Sequence, residues 1–197
     1  MSFVRKLSRI KSLLKMGSSQ EIAKRYFVMN AFDGALTALG IIIGAWIADV
    51  SEPRTLILAG LGASIAMGVS GGFGAYLTES AVKKEELAEF QTVMLEEFED
   101  TVFSEAARVE SFFVALVDGS SPFLASVISF SPFLFSYFFE WPMQSAYLLA
   151  VLLTACTLFL LGAYLGIISQ ENILINGAKM LVAGALTVIL VLFLEVL

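Results

Sequence analysis

Two aspartates stand inside apolar runs, where a charge is expensive. Asp33 lies in the string Asn30-Ala31-Phe32-Asp33-Gly34-Ala35-Leu36-Thr37, near the start of an otherwise uncharged run at 28–47. On insertion scales a carboxylate inside a membrane span costs ~2.5–3.5 kcal/mol, so a chain keeps one where a cation, a proton or a polar partner offsets that cost. The same pair returns as Asp118-Gly119 at the start of another apolar run. Met67, in Ser64-Ile65-Ala66-Met67-Gly68, is ordinarily a core residue. In an ion pathway its thioether is a soft ligand that favours transition metals over magnesium or calcium. The chemistry these residues suit is the movement of a cation.

A second group of carboxylates lies between the two aspartate-bearing runs. Ten of the eighteen acidic residues fall at 79–110, with only Lys83, Lys84 and Arg108 to neutralise them. On a helix, Glu85, Glu89, Glu96 and Asp100 fall within about 60° of one another. Glu86 and Glu99 flank that stripe and Glu105 follows it, while Leu87, Met94, Phe98 and Val102 take another face. The pattern predicts an amphipathic helix continuing from the second span, apolar on one side and acidic on the other. A solvated acidic face is the ordinary outcome for such a run. Crowded carboxylates also raise one another's proton affinity, and a divalent ion neutralises them well. All-oxygen ligation suits Mg, Ca, Mn or ferrous Fe.

The elements that must position these groups are membrane helices. The chain is 58% hydrophobic and 15% charged, against about 25% charged in soluble domains. Five stretches are long and apolar enough to span: 28–47, 56–77, 112–139, 147–168 and 178–194. The third contains Pro122 and Pro132, which predicts a kinked or broken helix. The expected architecture is an all-α integral membrane protein of five transmembrane helices with a cytoplasmic acidic helical extension. It divides into a basic amphipathic N-terminal helix (1–27), transmembrane helices one and two (28–78), the acidic segment (79–111) and transmembrane helices three to five (112–197).

Seven of the twelve basic residues precede the first span: Arg5, Lys6, Arg9, Lys11, Lys15, Lys24 and Arg25. With Lys83, Lys84, Arg108 and Lys179 on the same side and only Arg54 opposite, the N-terminus is expected in the cytoplasm and the C-terminus outside, in the cell (inner) membrane. Phe3, Leu7, Ile10 and Leu14 recur at helical spacing among those cations. They fit either an interfacial helix on anionic lipid or a topology signal that forms no helix. The segment has no apolar core of its own and does not read as a signal peptide. Cys156, alone in a span, reads as a small core residue.

The halves repeat. Asp33-Gly34 and Asp118-Gly119 are 85 residues apart, and Gly74-Ala75-Tyr76-Leu77 and Gly162-Ala163-Tyr164-Leu165 are 88 apart. Two parallel two-helix units plus one added helix follow, related by an axis along the membrane normal. Asp118 is then either a second proton site or, equally well, an interfacial turn or helix-start residue. Gly60, Ser64, Gly68 and Gly72 recur every four residues, a face for close helix packing.

Taken together, these strings resemble the vacuolar iron transporter family. The matching pieces are Asp33-Gly34-Ala35-Leu36-Thr37, Ser64-Ile65-Ala66-Met67-Gly68, Gly74-Ala75-Tyr76-Leu77-Thr78-Glu79-Ser80 and Ser129-Phe130-Ser131-Pro132-Phe133-Leu134-Phe135. The resemblance covers nearly the whole chain and makes it a short member. It implies a homodimer whose first two helices line a pathway between protomers. It also implies export of ferrous iron, often manganese too, from the cytosol in exchange for protons. The family's pathway aspartate and methionine map onto Asp33 and Met67, and its metal-binding glutamates onto 85–105. The chain departs from the pattern in its short acidic insertion, in Ala75 where the family carries a glutamate, in Ala38 where it often carries a proline, and in the added Asp118.

The expected function is divalent-metal export by proton antiport, with the metal as substrate and no organic cofactor. The competing class is a non-transporting membrane sensor or assembly subunit whose acidic helix binds metal or a basic partner. Gly68-Val69-Ser70-Gly71 raises an intramembrane hydrolase, but the chain has no histidine. That excludes a Ser/His dyad and a His-pair metal hydrolase, so no enzyme is expected. A net charge of −6 with the cations beside the membrane does not suit nucleic acid.

Overall fold

The computed structural model describes residues 19–94 and 102–195, and every element in it is an α-helix. In chain order these are α1 (Ser19–Ile47), α2 (Pro53–Met94), α3 (Val102–Phe139), α4 (Met143–Ile168) and α5 (Ile173–Glu195). All five are long and apolar enough to cross a membrane, and the protein is a multi-pass membrane protein. The outward faces agree with lipid as solvent. Leu58, Ile65, Val69 and Phe73 on α2 and Ile189 and Phe193 on α5 are exposed in the single chain.

All five helices run further than the apolar stretches alone predict, the first three by the most. α1 begins at Ser19, and α2 continues unbroken to Met94, carrying Lys83, Lys84, Glu85, Glu86 and Glu89 on the same helix as the span. α3 passes through Pro122 and Pro132 without a break, where a break was one of the two expected outcomes. The reason is local at the second proline. Pro132 has no N–H for the Ile128 carbonyl, and the Ser131 hydroxyl donates to that oxygen instead at 2.8 Å.

The turns close economically. α1 ends with the Val50 amide donating to the Ala45 carbonyl and the Asp49 amide to the Trp46 carbonyl, with Asp49 at φ 52°. α4 ends in the same pattern, Glu171 to Gly166 and Gln170 to Ile167, with Gln170 at φ 56°. This is the Schellman arrangement, which satisfies carbonyls that the helix leaves open. Asn172 then caps α5, its Oδ1 accepting from the Leu174 and Ile175 amides.

The chain divides into two compact units, 1–27 with 69–120 and 28–68 with 121–197. The second holds the main apolar cluster: Ala38, Ile42, Leu56, Phe130, Phe133, Ala146, Tyr147 and Ala150. Tyr147 organises it. Its ring stacks on Trp46 with centroids 5.3 Å apart and meets Phe133 edge-on at 5.2 Å, while its hydroxyl donates to the Val50 carbonyl at 2.7 Å. That hydrogen bond ties the α1–α2 turn to α4. On the other face, α5 packs on α4 through Gly162, where a Cβ would meet the Asn176 carbonyl, and through Gly184, where it would meet the Leu158 side chain at 2.7 Å.

α1 and α2 each approach α3 closely through a glycine. A Cβ on Gly34 would stand 2.6 Å from Pro122 Cα and 2.7 Å from its carbonyl oxygen, and one on Gly60 would run into the Phe130 ring. The Gly60–Ser64–Gly72 face is therefore a packing face, with Ser64 fully buried and its hydroxyl returned to the Gly60 carbonyl. Gly40, on the same helix as Gly34, has open space at its Cβ position. Gly34→Ala is expected to destabilise the protein by about 1–3 kcal/mol, whereas Gly40→Ala is expected to be neutral or stabilising by up to ~1 kcal/mol. Thermal unfolding of both variants in one detergent checks the contrast.

Candidate functional site

The predicted site residues fall in both units. Asp33 and Met67 belong to the second unit and Asp118 to the first. Asp33 follows from the packing of its neighbour. Gly34 is buried against Pro122, and Ser126 donates to the Gly34 carbonyl at 3.4 Å. One residue round the helix, Asp33 is exposed on the flank of α1. Met67 is partly buried on α2.

Asp118 lies well inside α3 and is only 2% exposed. It is therefore neither a turn residue nor a helix-start residue. Its surroundings are polar. On α1, the Tyr26 hydroxyl hydrogen-bonds to the Glu79 carboxylate of α2, and the Asp118 carboxylate is close enough to act on the same phenol electrostatically. Glu79 is 8% exposed. One turn further along α2, Lys83 Nζ lies 3.4 Å from Glu110 of α3 and 2.9 Å from Glu86. Glu110 is 4% exposed, and Ser111 beside it 1%. Tyr26, Glu79, Lys83, Glu110 and Asp118 all belong to the first unit. Among the described residues no buried side-chain nitrogen or oxygen lacks a hydrogen-bond partner, as burial of such groups requires.

Of the acidic stripe, Glu85, Glu86 and Glu89 are exposed on α2 and Glu105 is partly buried on α3. Glu96, Glu99 and Asp100 lie outside the described residues, as does the basic 1–18 segment. Among the described residues no group of three His, Cys, Asp or Glu side chains is arranged to hold a metal ion.

Tyr26, Glu79, Lys83 and Glu110 escape a reading based on intramembrane charge, because they sit where the apolar runs give way to charged sequence. A signal for Glu79 exists nonetheless. Leu56, Gly60, Ser64, Gly68, Gly72, Ala75 and Glu79 continue one helical register, so the face that packs on α3 runs directly into Glu79. The Lys83–Glu110 pair carries a quantitative consequence. Lys83→Met leaves Glu110 buried without its cation and is expected to destabilise by about 3 kcal/mol, whereas Lys83→Met with Glu110→Met is expected to recover most of that loss. Chemical unfolding of the single and double variants measures both.

Compared with known proteins, the chain is 35% identical over 176 residues to an uncharacterized protein, MJ0645, of Methanocaldococcus jannaschii, covering 88% of each chain. No family model and no solved structure matches.

Proposed function

The chain belongs to the same family as the Methanocaldococcus jannaschii protein, and we propose that it is a divalent-metal transporter exporting the ion from the cytosol by proton antiport. The observation that carries this is the exposure of Asp33 on the flank of a membrane-crossing helix. A carboxylate facing lipid is costly, and the cost is removed when a cation or a proton neutralises it. In a homodimer, two Asp33 carboxylates meeting at the twofold axis neutralise one divalent ion, with Met67 as a soft ligand in the same pathway. When the ion leaves outward, protonation of Asp33 replaces its charge, which makes the exchange obligatory.

The rest of the chain fits this scheme. The N-terminus and the acidic extension lie in the cytoplasm, where Glu85, Glu86, Glu89, Glu96, Glu99, Asp100 and Glu105 gather the ion electrostatically before it enters the span. Asp118 is the counterpart of Asp33 in the two-helix repeat and a second site for the coupled proton. The resemblance to vacuolar iron transporters supplies the substrate, ferrous iron with manganese as a second ion. A scaffold or sensor has no need of paired intramembrane carboxylates, which is why transport is preferred.

The test is flux by the purified protein in liposomes, with Fe, Mn, Co, Zn and Ca offered in turn, with and without a pH gradient. Iron and manganese are expected to move, faster when the gradient favours exchange. Asp33→Asn is expected to lower the initial rate about tenfold or more, the factor for each ~1.4 kcal/mol lost at the site, with the fold intact. Undiminished flux through that variant excludes the mechanism.

A further inference from the structure

Tyr26, Glu79, Lys83 and Glu110 take no part in the transport step above, yet they supply the polar ties described at one end of the first unit. Tyr26 of α1 reaches Glu79 of α2, and Lys83 of α2 reaches Glu110 of α3. Glu79 and Lys83 are four residues apart, so they lie one above the other on α2, yet each holds a different neighbouring helix. The two ties therefore join three helices through a single turn of α2.

What lies inside the ties is sequestered. Ser111 adjoins Glu110 on α3, and Asp118 lies eight residues, ~12 Å, further along the same helix. Both are at most 2% exposed. Beyond the ties α2 meets α3 through small residues: a Cβ on Gly72 would stand 3.3 Å from the Ala115 carbonyl and 3.5 Å from Gly119 Cα. α2 is also the least buried of the three helices in its apolar stretch, 17% against 44% for α1 and 39% for α3. Side-chain packing thus anchors α2 least, which leaves more of its attachment to the polar ties.

The ties are also of a reversible kind. A hydrogen bond is exchanged for water at small net cost, and opening the ion pair returns both of its charges to water, which offsets their lost attraction, unlike burial of a large apolar side chain. Lys83 already holds Glu86 on its own helix, closer than it holds Glu110. When α2 parts from α3, the ammonium keeps a partner and only Glu110 must be rehydrated. Arg25 on α1, beside Tyr26, is exposed and needs no desolvation in either arrangement.

We infer that the Tyr26–Glu79 hydrogen bond and the Lys83–Glu110 ion pair form a latch that closes this end of the three-helix unit over Ser111 and Asp118. The structure is the latched state, and opening requires both ties to break. Tyr26, Glu79, Lys83 and Glu110 are positioning residues. The latch rests on the transport proposal for its purpose, since it governs access to Asp118, but its test does not.

The test uses a reporter thiol. Cys156, the chain's one cysteine, is exposed and is replaced by alanine, and Ser111→Cys adds a near-isosteric buried thiol. In lipid nanodiscs, where both membrane faces are accessible, the rate of reaction with a charged maleimide reads opening. Tyr26→Phe and Glu110→Gln are each expected to raise that rate about fivefold, the factor for one ordinary net hydrogen bond. The exchange Lys83→Glu with Glu110→Lys is expected to slow it again towards the parent value. Backbone hydrogen exchange over 104–111, which needs no thiol, is expected to rise in the same variants. An unchanged labelling rate in Tyr26→Phe and Glu110→Gln, or unchanged exchange, overturns the latch. A charge exchange that labels no more slowly than Glu110→Gln overturns it as well. If the parent moves no metal in liposomes while the labelling pattern holds, transport is excluded and the latch stands. If the parent moves metal and the variants label at the parent rate, the latch is excluded and transport stands.

Discussion

Close approach of glycines onto α3 is the contact on which the other features depend. In lipid, apolar side chains gain little by meeting one another instead of acyl tails, so helices associate where small residues let their backbones come close. Gly34 meets Pro122, Gly60 meets the Phe130 ring, and Gly72 meets Ala115 and Gly119. Each contact sets the rotation of a helix about its axis. With Gly34 turned in against α3, Asp33 is turned out on the flank of α1. With the Gly60–Ser64–Gly72 face turned in, Glu79 is carried inward one register further along. The placement of both acidic groups is thus a by-product of where the glycines are.

The two units are held by different physics. In one, aromatic and aliphatic side chains cluster around Tyr147, and a single hydroxyl fastens the α1–α2 turn to α4. In the other, small residues and polar ties join α1, α2 and α3. Dense apolar packing resists small displacements, because close-packed side chains have few alternative arrangements. Hydrogen bonds and ion pairs have water as a ready substitute.

The repeated strings show how tertiary context separates equal sequences. Gly162 of the second Gly-Ala-Tyr-Leu is filled by the Asn176 carbonyl of α5, whereas Gly74 of the first has open space at its Cβ position. Likewise Asp33 is exposed and Asp118 almost fully buried, although each precedes a glycine near the start of an apolar run. α5 lies against Gly162 but not against Gly74, so equal residues do not have equal neighbours. That asymmetry is invisible in a comparison of strings.

By itself the sequence determined the number and class of the elements and the presence of costly charges among them. Five apolar stretches are legible because crossing a membrane demands about twenty apolar residues in succession, a constraint written into composition. Asp33 and Asp118 are legible for the same reason, as exceptions to it. The continuity of α3 through Pro132 depended on where the Ser131 hydroxyl reaches, and the burial of Asp118, Glu79 and Glu110 on which neighbour each helix face meets. The Tyr26–Glu79 and Lys83–Glu110 ties join residues 53 and 27 positions apart in the chain. Those were decided only by the tertiary structure, because a side chain's partner across a bundle follows from helix rotation and register, and in lipid these are set by the close approach of a few glycines.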